Sequence, residues 1–263
     1  MAESAAAEND AVLLDRRGHV LVITLNRPAV LNALDQRLID GLLAAYELLA
    51  GDAELRAGVI AGAGRAFCAG LDRASIAAGS SAVSPETGYP RLLRHPIRKP
   101  LIAAVHGVAV GAGASLAMSC DLIVAERGSS FSLPEVALGI VAGGGGALMA
   151  SELLPPKIAA EFLLTGDRLS GEDAVRWGMA NRLVDAGQGR ATAIGLAERL
   201  ASNAPVAVQA TKGILAAARE LGPSSDEAWR FSTAEMARVL RTEDAAEGVA
   251  AMRDRRRPEW TGR

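Results

Sequence analysis

The amino-acid sequence predicts an α/β fold that becomes helical towards its end. Short apolar runs rich in β-branched residues alternate with glycine-marked turns and helical segments over the first two thirds of the chain. From Pro155 onward, helical patterns with clear start and stop signals dominate. The chain has 263 residues, half of them hydrophobic, and a protein of this size buries roughly 75% of the surface that its unfolded form exposes. We therefore expect one large domain, or a domain with an appendage, built around an extensive core.

The first elements follow an acidic tail, residues 1–10, which we expect to be disordered. It lacks the basic and apolar regions of a signal peptide. The stretch "HVLVITLNRP" predicts a strand that stops at Pro28. The next stretch, "NALDQRLIDGLLAAYELLAGD", spaces its leucines as a helix does, with Asn32 as the predicted N-cap and Gly51 as the stop. "RAGVIAGAG" predicts a second short strand.

The central elements predict two further strands around a helix. "KPLIAAVHGVAV" is a third strand region, which turns at a Gly-Ala-Gly corner into the helix "ASLAMSC", and "DLIVAE" is a short buried strand. Ala77 to Pro90 is small and polar and predicts a mobile surface segment. "SFSLPEVALGIVAGGGG" predicts a loop before another helix. Later, "SGEDAVRWG" begins with a Ser-x-x-Asp cap, and "APVAVQATKGILAAARELGP" carries proline in its first turn.

Composition excludes several classes of function. A net charge of −2 and an aromatic content of 3% give neither the field nor the stacking surface that nucleic acids or anionic membranes require. The two cysteines form no CxxC pair, which fits a reducing compartment. No run of about 18 apolar residues is free of glycine and charge, so no membrane span is expected. We expect a cytoplasmic protein without nucleic-acid or membrane partners.

Two glycine corners share one design. In "AFCAGLD" a glycine frees the backbone so that the next amide, that of Leu71, points into open space, and in "VGAGAS" the same holds for Ala112 at a helix start. Such amides have no partner within the helix, and the dipole there favours negative charge. Two of them converging on one point would form an oxyanion hole. Each glycine by itself is also explained by a tight turn or a close helix–strand contact.

The longer motifs resemble those of one known family. They are "NRPAVLNAL", "GAGRAFCAGLD", "KPLIAAVHGVAVGAGASLAMSCDLIVAE", "FSLPEVALGIVAGGGG" and "LLTGDRLSGEDAVRWGMANRLV". Together they are similar to the crotonase family, the enoyl-CoA hydratases and isomerases, over about residues 12–263. The run from Phe67 to Gly146 is the specific part. "LPPKIAAEFLLTG" and "RRPEWTGR" look most like the carnitinyl-CoA dehydratase and mycobacterial enoyl-CoA hydratase branches.

The resemblance implies a crotonase-like spiral of ββα units and a helical C-terminal trimerisation region. On this basis residues 11–195 form the core with the active site, and residues 196–263 the helical region. The resemblance further implies an acyl-CoA substrate, a homotrimer or a hexamer built as a dimer of trimers, and neither a metal nor a redox cofactor. The thioester oxygen would lie between the amides of Leu71 and Ala112.

The resemblance also assigns candidate contacts with CoA. The segment Leu71, Asp72, Arg73 and Ala74 would run beside the adenine and pantetheine of CoA. Arg27, in "NRP", stands where the family often has a basic residue that faces CoA.

Family hydratases usually carry two glutamates, and this chain has one of them. Glu135 stands in the "PE" step, whereas Ser115 occupies the other position. Two carboxylates suit hydration, because both hold the water while one takes its proton. Glu135 lies in an apolar loop, which should raise its pKa and suit proton transfer; a solvated loop glutamate is the alternative. Gly143 matches the family glycine whose amide faces bound water or substrate.

The role of Ser115 and the reaction itself stay open at this point. Ser115 either orients a water or a substrate hydroxyl through its own O–H or only fills space in the helix. With one carboxylate the chemistry favours double-bond migration over efficient water addition. The alternatives are a catalytically weak or inactive acyl-CoA-binding protein, and a crotonase-type isomerase or dehydratase of another acyl-CoA.

Overall fold

The computed structural model describes residues 10–72, 84, 86 and 88–263. Over these residues the chain forms nine strands, numbered in chain order. They are β1 Val12–Arg17, β2 Val20–Leu25, β3 Ala57–Gly62, β4 Leu101–Val105, β5 Val108–Val110, β6 Leu122–Glu126, β7 Ser130–Ser132, β8 Leu169–Ser170 and β9 Arg182–Val184. The predicted α/β class is confirmed.

The strands form two sheets. The larger has the order β1-β2-β3-β4-β6-β9, and all its pairs are parallel except β1 with β2. The smaller has the order β5-β7-β8, with β5 parallel to β7 and β8 antiparallel to it. Repeated parallel pairing requires crossover connections, and the helices and the second sheet supply them.

Ten α-helices accompany these strands in the described part of the chain. They are α1 Gln36–Gly51, α2 Tyr89–Leu93, α3 Ala112–Met118, α4 Gly146–Leu153, α5 Pro156–Thr165, α6 Gly171–Arg176, α7 Gly189–Ala201, α8 Pro205–Leu221, α9 Asp226–Val239 and α10 Glu243–Asp254. Two 3₁₀ turns cover Pro28–Val30 and Pro134–Leu138. None of the described helices is long and apolar enough to cross a bilayer.

Both faces of the larger sheet are covered. Leu21, Ile23 and Leu25 of β2 join the main core, which includes α1, whereas Val20 and Val22 face the second cluster. That cluster contains the buried face of α7. Strand β2 is therefore buried at every position, as expected for a strand inside a parallel sheet.

Three details of these elements differ from the sequence expectations. The first is that β1 was not predicted, because its residues after Val12 are exposed at the sheet edge. The predicted third strand region is two strands in different sheets. The chain leaves the first sheet at Gly107, which has φ +56° and where a β-carbon would collide with the carbonyl of Arg65. The predicted loop after it contains β7 and a 3₁₀ turn.

The predicted N-cap of the first long helix is wrong. Helix α1 begins at Gln36, and the side chain of Asp35 accepts a hydrogen bond from the amide of Leu38. Asn32 lies earlier, in the left-handed region at φ +58°, and is fully buried. The predicted end is close to the observed one, since Gly51 is the last helical residue.

The remaining expectations fall partly on described residues. Residues 1–9 and most of the segment Ala77 to Pro90 lie outside them, whereas the final two residues of that segment begin α2. Helix α7 runs across the predicted boundary at residue 195 and packs on the larger sheet. The division into a core and a helical region stays a prediction.

Candidate active site

A cleft of about 970 Å³ lies where the two glycine corners meet. Its walls combine backbone from both corners with apolar side chains. The lining residues are Ala69, Gly70, Leu71, Tyr89, Pro90, Leu93, Arg94, Val110, Gly111, Ala112, Pro134, Glu135, Leu138, Ile140, Val141, Gly143, Gly144, Gly145, Leu148 and Met149. A concave and mostly apolar site with few polar groups is typical of small-molecule binding.

The first corner aims the amide of Leu71 away from its neighbouring segment. Leu71 forms a parallel bridge with Leu34, in which Leu34 N donates to the Gly70 carbonyl at 2.7 Å and Asp72 N donates to the Leu34 carbonyl at 2.9 Å. Because successive amides of an extended chain point to opposite sides, the Leu71 amide faces away from Leu34. It donates to no acceptor among the described residues.

The second corner ends in the first turn of α3. Gly111 precedes this helix with φ +54° and ψ −122°, a conformation that disfavours any side chain. The amide of Ala112, the first helical residue, has no acceptor within the described chain. Helix starts leave such donors free.

The two corners are brought together by strand-like pairing. Cys68 N donates to the Val108 carbonyl at 3.1 Å, and Val110 N donates to the Cys68 carbonyl at 2.9 Å. A β-carbon on Gly70 would lie 2.7 Å from the Val110 carbonyl oxygen and 3.7 Å from the Ala112 nitrogen. Only glycine allows this approach, since Gly70 also has φ +95°. Two free amides therefore lie at adjoining corners of one cleft.

Glu135 lies beside the second corner. It is the second residue of the 3₁₀ turn Pro134–Leu138, and a β-carbon on Gly111 would lie 3.2 Å from its Oε1. Its Oε2 is buried and has no hydrogen-bond partner among the described residues. Burial raises the pKa of this carboxyl, and only its own backbone amide opposes the shift. The group combines a raised pKa with a free oxygen, as a proton-transfer residue requires.

Ser115 and Gly143 occupy different positions. Ser115 is 3% exposed and donates to the Gly111 carbonyl at 3.1 Å, and its Oγ lies 2.6 Å from where a β-carbon of Gly146 would stand. It does not belong to the cleft lining, whereas Gly143 does. The roles predicted for both residues stay predictions.

Two of the candidate CoA residues, Arg27 and Asp72, belong to an ion-pair cluster. Arg27 donates to Asp72 at 2.9 Å and lies 3.3 Å from Asp35. Neither Arg27 nor Asp72 lines the cleft, whereas Leu71 does. Arg73 and Ala74 lie outside the described residues.

Tyr89 is a cleft residue that the sequence reasoning missed. It begins α2, and a β-carbon on Gly144 would overlap its hydroxyl oxygen. Burial and the charge of Glu135 raise the pKa of its phenol, while a hydrogen bond with the Gly144 backbone lowers it. The available signal was a tyrosine directly before Pro90 in a segment otherwise made of small polar residues.

Three other features lie away from the cleft. His106 directly follows β4, and its Nε2 is 3.0 Å from the Gly64 carbonyl oxygen. Cys68 and Cys120 are buried free thiols in the main core. Among the described residues no three His, Cys, Asp or Glu side chains are placed to hold a metal ion.

Comparison with known proteins adds independent information. The family model "Enoyl-CoA hydratase/isomerase" matches residues 15–263. The chain is 40% identical over 258 residues to the carnitinyl-CoA dehydratase of Proteus mirabilis. The matched region covers 95% of this chain and 98% of that protein. It is 42% identical to a crystal structure of enoyl-CoA hydratase from Mycobacterium tuberculosis, with a TM-score of 0.92 over 97% of this chain and 100% of that one. A second structure, enoyl-CoA hydratase EchA1 from Mycobacterium marinum, gives the same identity, TM-score and coverage.

Proposed function

Because the chain belongs to the enoyl-CoA hydratase/isomerase family of enzymes, we propose that it adds water to, or removes it from, C2 and C3 of an acyl-CoA thioester. The thioester oxygen lies between the amides of Leu71 and Ala112, and Glu135 moves the proton. The names of the relatives, a carnitinyl-CoA dehydratase and enoyl-CoA hydratases, support water chemistry on a CoA thioester.

One observation carries this proposal: the carboxylate of Glu135 lies against Gly111, the residue directly before the Ala112 amide. In a thioester the α-carbon is bonded to the carbonyl carbon. A thioester whose oxygen accepts from the Ala112 amide therefore presents its α-carbon near Glu135. Backbone donors and a proton acceptor at one carbonyl are what enolate formation requires.

In the dehydration direction, Glu135 takes a proton from C2 of a 3-hydroxyacyl thioester. The electron pair of the broken C–H bond passes into the thioester, and the oxygen becomes negative while held by the two amides. The electrons then form the C2–C3 double bond, the C3–O bond breaks, and the leaving oxygen receives the proton from Glu135 as water. Losing one such amide donor costs about 100- to 1000-fold in rate.

The reaction involves no net oxidation or reduction, so the proposal requires no redox cofactor, and CoA is part of the substrate. Contacts between CoA and the segment Leu71 to Ala74 belong to the proposal, as does a role for Arg27. Arg27 is already paired with Asp72 and Asp35. We therefore expect it to hold Leu71 and Asp72 in place and to contact only the periphery of the bound CoA.

Double-bond migration is the second candidate function. Ser115 occupies the position of a family glutamate, and its hydroxyl is engaged by the Gly111 carbonyl. A single carboxylate is sufficient to carry a proton from one carbon of an enolate to another. This candidate uses the same oxyanion hole and the same Glu135.

Assembly into trimers or hexamers is also part of the proposal. Several large apolar side chains on the last three helices are exposed in the single chain, among them Trp229 at 66%, Met236 at 57% and Met252 at 76%. Exposed apolar side chains of this size are typical of subunit contacts. Light scattering coupled to gel filtration would measure the mass of the assembly.

The deciding experiment compares the wild type with Glu135→Gln on crotonyl-CoA and on 3-butenoyl-CoA. We expect the variant to lose about 100-fold or more in kcat on both thioesters, as general acid–base catalysis typically contributes. Equal rates for the two proteins would contradict the role of Glu135. Tight acyl-CoA binding by the wild type without turnover of any enoyl, hydroxyacyl or ketoacyl thioester would favour a binding protein instead.

A second experiment separates hydration from migration. Ser115→Glu restores the family pair of carboxylates, whereas Ser115→Gln has a similar size without the charge. We expect Ser115→Glu to raise the ratio of hydration to migration. The ratio for Ser115→Gln should be lower than that for Ser115→Glu. An equal ratio for both variants would exclude a missing carboxylate as the limit on hydration.

A further inference from the structure

We propose that the hydroxyl of Tyr89 binds the oxygen atom at C3 of the substrate. Tyr89 would then hold the leaving hydroxyl, or the attacking water, opposite Glu135. This inference rests on the proposed function, since it names a second polar contact for the same reaction.

The first support is position. Tyr89 lines the cleft together with Glu135, and it is near enough for the charge of Glu135 to raise the pKa of the phenol. The described lining has three polar side chains, those of Tyr89, Arg94 and Glu135, and Arg94 is exposed to solvent. The other side chains in this lining are apolar. A partly buried phenol and a partly buried carboxyl are therefore the polar side chains inside the described part of the cleft.

The second support is that the hydrogen of the phenol has no acceptor in the described part of the chain. The hydroxyl oxygen lies against Gly144, another residue of the cleft lining. The O–H of Tyr89 donates to no acceptor among the described residues. Its hydrogen is available to a ligand in the cleft.

The third support is what the cleft needs. Glu135 Oε2 is buried without a hydrogen-bond partner among the described residues, so one carboxylate oxygen is free for the proton that moves between C2 and the C3 oxygen. That oxygen becomes negative as the C3–O bond breaks. Tyr89 donates a hydrogen bond to it and keeps its own proton, while Glu135 supplies the proton that completes the water molecule. Ser115, occupied by the Gly111 carbonyl, does not supply this donor.

Binding tests this inference without requiring turnover. In the Glu135→Gln background, calorimetry would compare 3-hydroxybutyryl-CoA, as each enantiomer, with butyryl-CoA, which lacks the C3 oxygen. We expect the protein to bind one enantiomer of 3-hydroxybutyryl-CoA more tightly than butyryl-CoA. Tyr89→Phe should reduce this preference, the ratio of the two affinities, by about five- to tenfold. The affinity for butyryl-CoA should not change.

Two further variants make the test specific. Gly144→Ala places a β-carbon on the phenol oxygen without requiring a positive φ, so it should displace Tyr89 and reduce the same preference. Tyr46→Phe removes the hydroxyl of the chain's other tyrosine, which is buried outside the cleft, and should leave the preference unchanged.

The outcomes distinguish this inference from the proposed function. An unchanged preference in Tyr89→Phe, or no preference before that substitution, would overturn the role of Tyr89 even if Glu135 proves essential for turnover. A preference that depends on Tyr89 would support the contact even if crotonyl-CoA is not turned over. Circular dichroism of each variant would confirm that the fold is retained.

Discussion

A β-carbon on Gly111 would lie 3.2 Å from Oε1 of Glu135. The same glycine has a backbone conformation at φ +54° that other residues rarely adopt, and it directly precedes the Ala112 amide. Gly111 therefore meets two requirements at once: it turns the chain so that the amide is free, and it leaves room for the carboxylate.

Gly111→Ala should damage both functions of this corner. The backbone strain costs on the order of 1–3 kcal/mol in unfolding free energy, and the added methyl group presses on Glu135. We expect a fall in kcat/KM of about 100-fold, comparable to the loss of one oxyanion donor. Steady-state kinetics and urea denaturation would measure the two effects.

The matched control is Gly195→Ala in the middle of α7. Its β-carbon meets nothing within 4 Å, and its φ is not positive. The control should keep full activity and gain about 0.5–1 kcal/mol in stability, since alanine favours a helix over glycine. Equal activity of Gly111→Ala and the control would contradict the importance of the corner.

Glu135→Gln should stabilise the protein in a pH-dependent way. Burial holds the pKa of Glu135 above its ordinary value, so the unfolded chain ionises first as the pH rises. Folding stability then falls with rising pH until the folded-state pKa is passed. Glutamine avoids this loss. The Tm difference between the variant and the wild type should therefore be larger at pH 8 than at pH 4.

Glu247→Gln provides a control of opposite sign. A hydrogen bond from Arg256 is the main reason that the pKa of Glu247 is lowered to about 2. The ionised group stabilises the fold above the unfolded pKa, and that contribution is lost as the pH falls towards 2. This variant should have a lower Tm than the wild type at pH 8. If both substitutions shift Tm in the same direction at every pH, the electrostatic explanation fails.

Asn32→Asp should be more destabilising than Asn32→Ala. The side-chain amide of Asn32 donates to the carbonyls of Ala63, Ala66 and Phe67 at 2.8 to 3.2 Å. Alanine leaves these carbonyls without that donor, which costs about 1–3 kcal/mol. A carboxylate is a pure acceptor facing three acceptors, so it adds repulsion and burial of charge. Urea denaturation at pH 7 would rank the unfolding free energies of the two variants. Protonation of the new carboxylate at low pH should reduce the difference in stability between them.

Both cysteines should be unreactive in the folded protein. Burial raises the pKa of the Cys68 thiol to about 12 and also raises the pKa of the Cys120 thiol, and the thiolate is the reactive form. Ellman's reagent should label neither thiol in native protein and both in 6 M guanidinium chloride. Rapid labelling of the native protein would show that the core opens easily.

The elements of the fold were predicted well where the signal is local. The strand Ala57–Gly62, the end of α1 at Gly51 and the Ser170 cap of α6 follow from apolar runs, helical spacing and capping residues. Asn32 was misassigned because its side chain serves distant carbonyls, and a residue list cannot distinguish that role from a helix cap.

The sequence by itself determined the two corners, because a backbone that turns at positive φ with its next amide free requires glycine, and that requirement is local. It also determined the presence of Glu135 and the replacement at Ser115. Only the tertiary structure decided that the corners adjoin, since that depends on hydrogen bonds between Cys68 and the distant strand β5. Likewise, Tyr89 and Gly144 are more than fifty residues apart in the sequence, and they come into contact only because the chain folds.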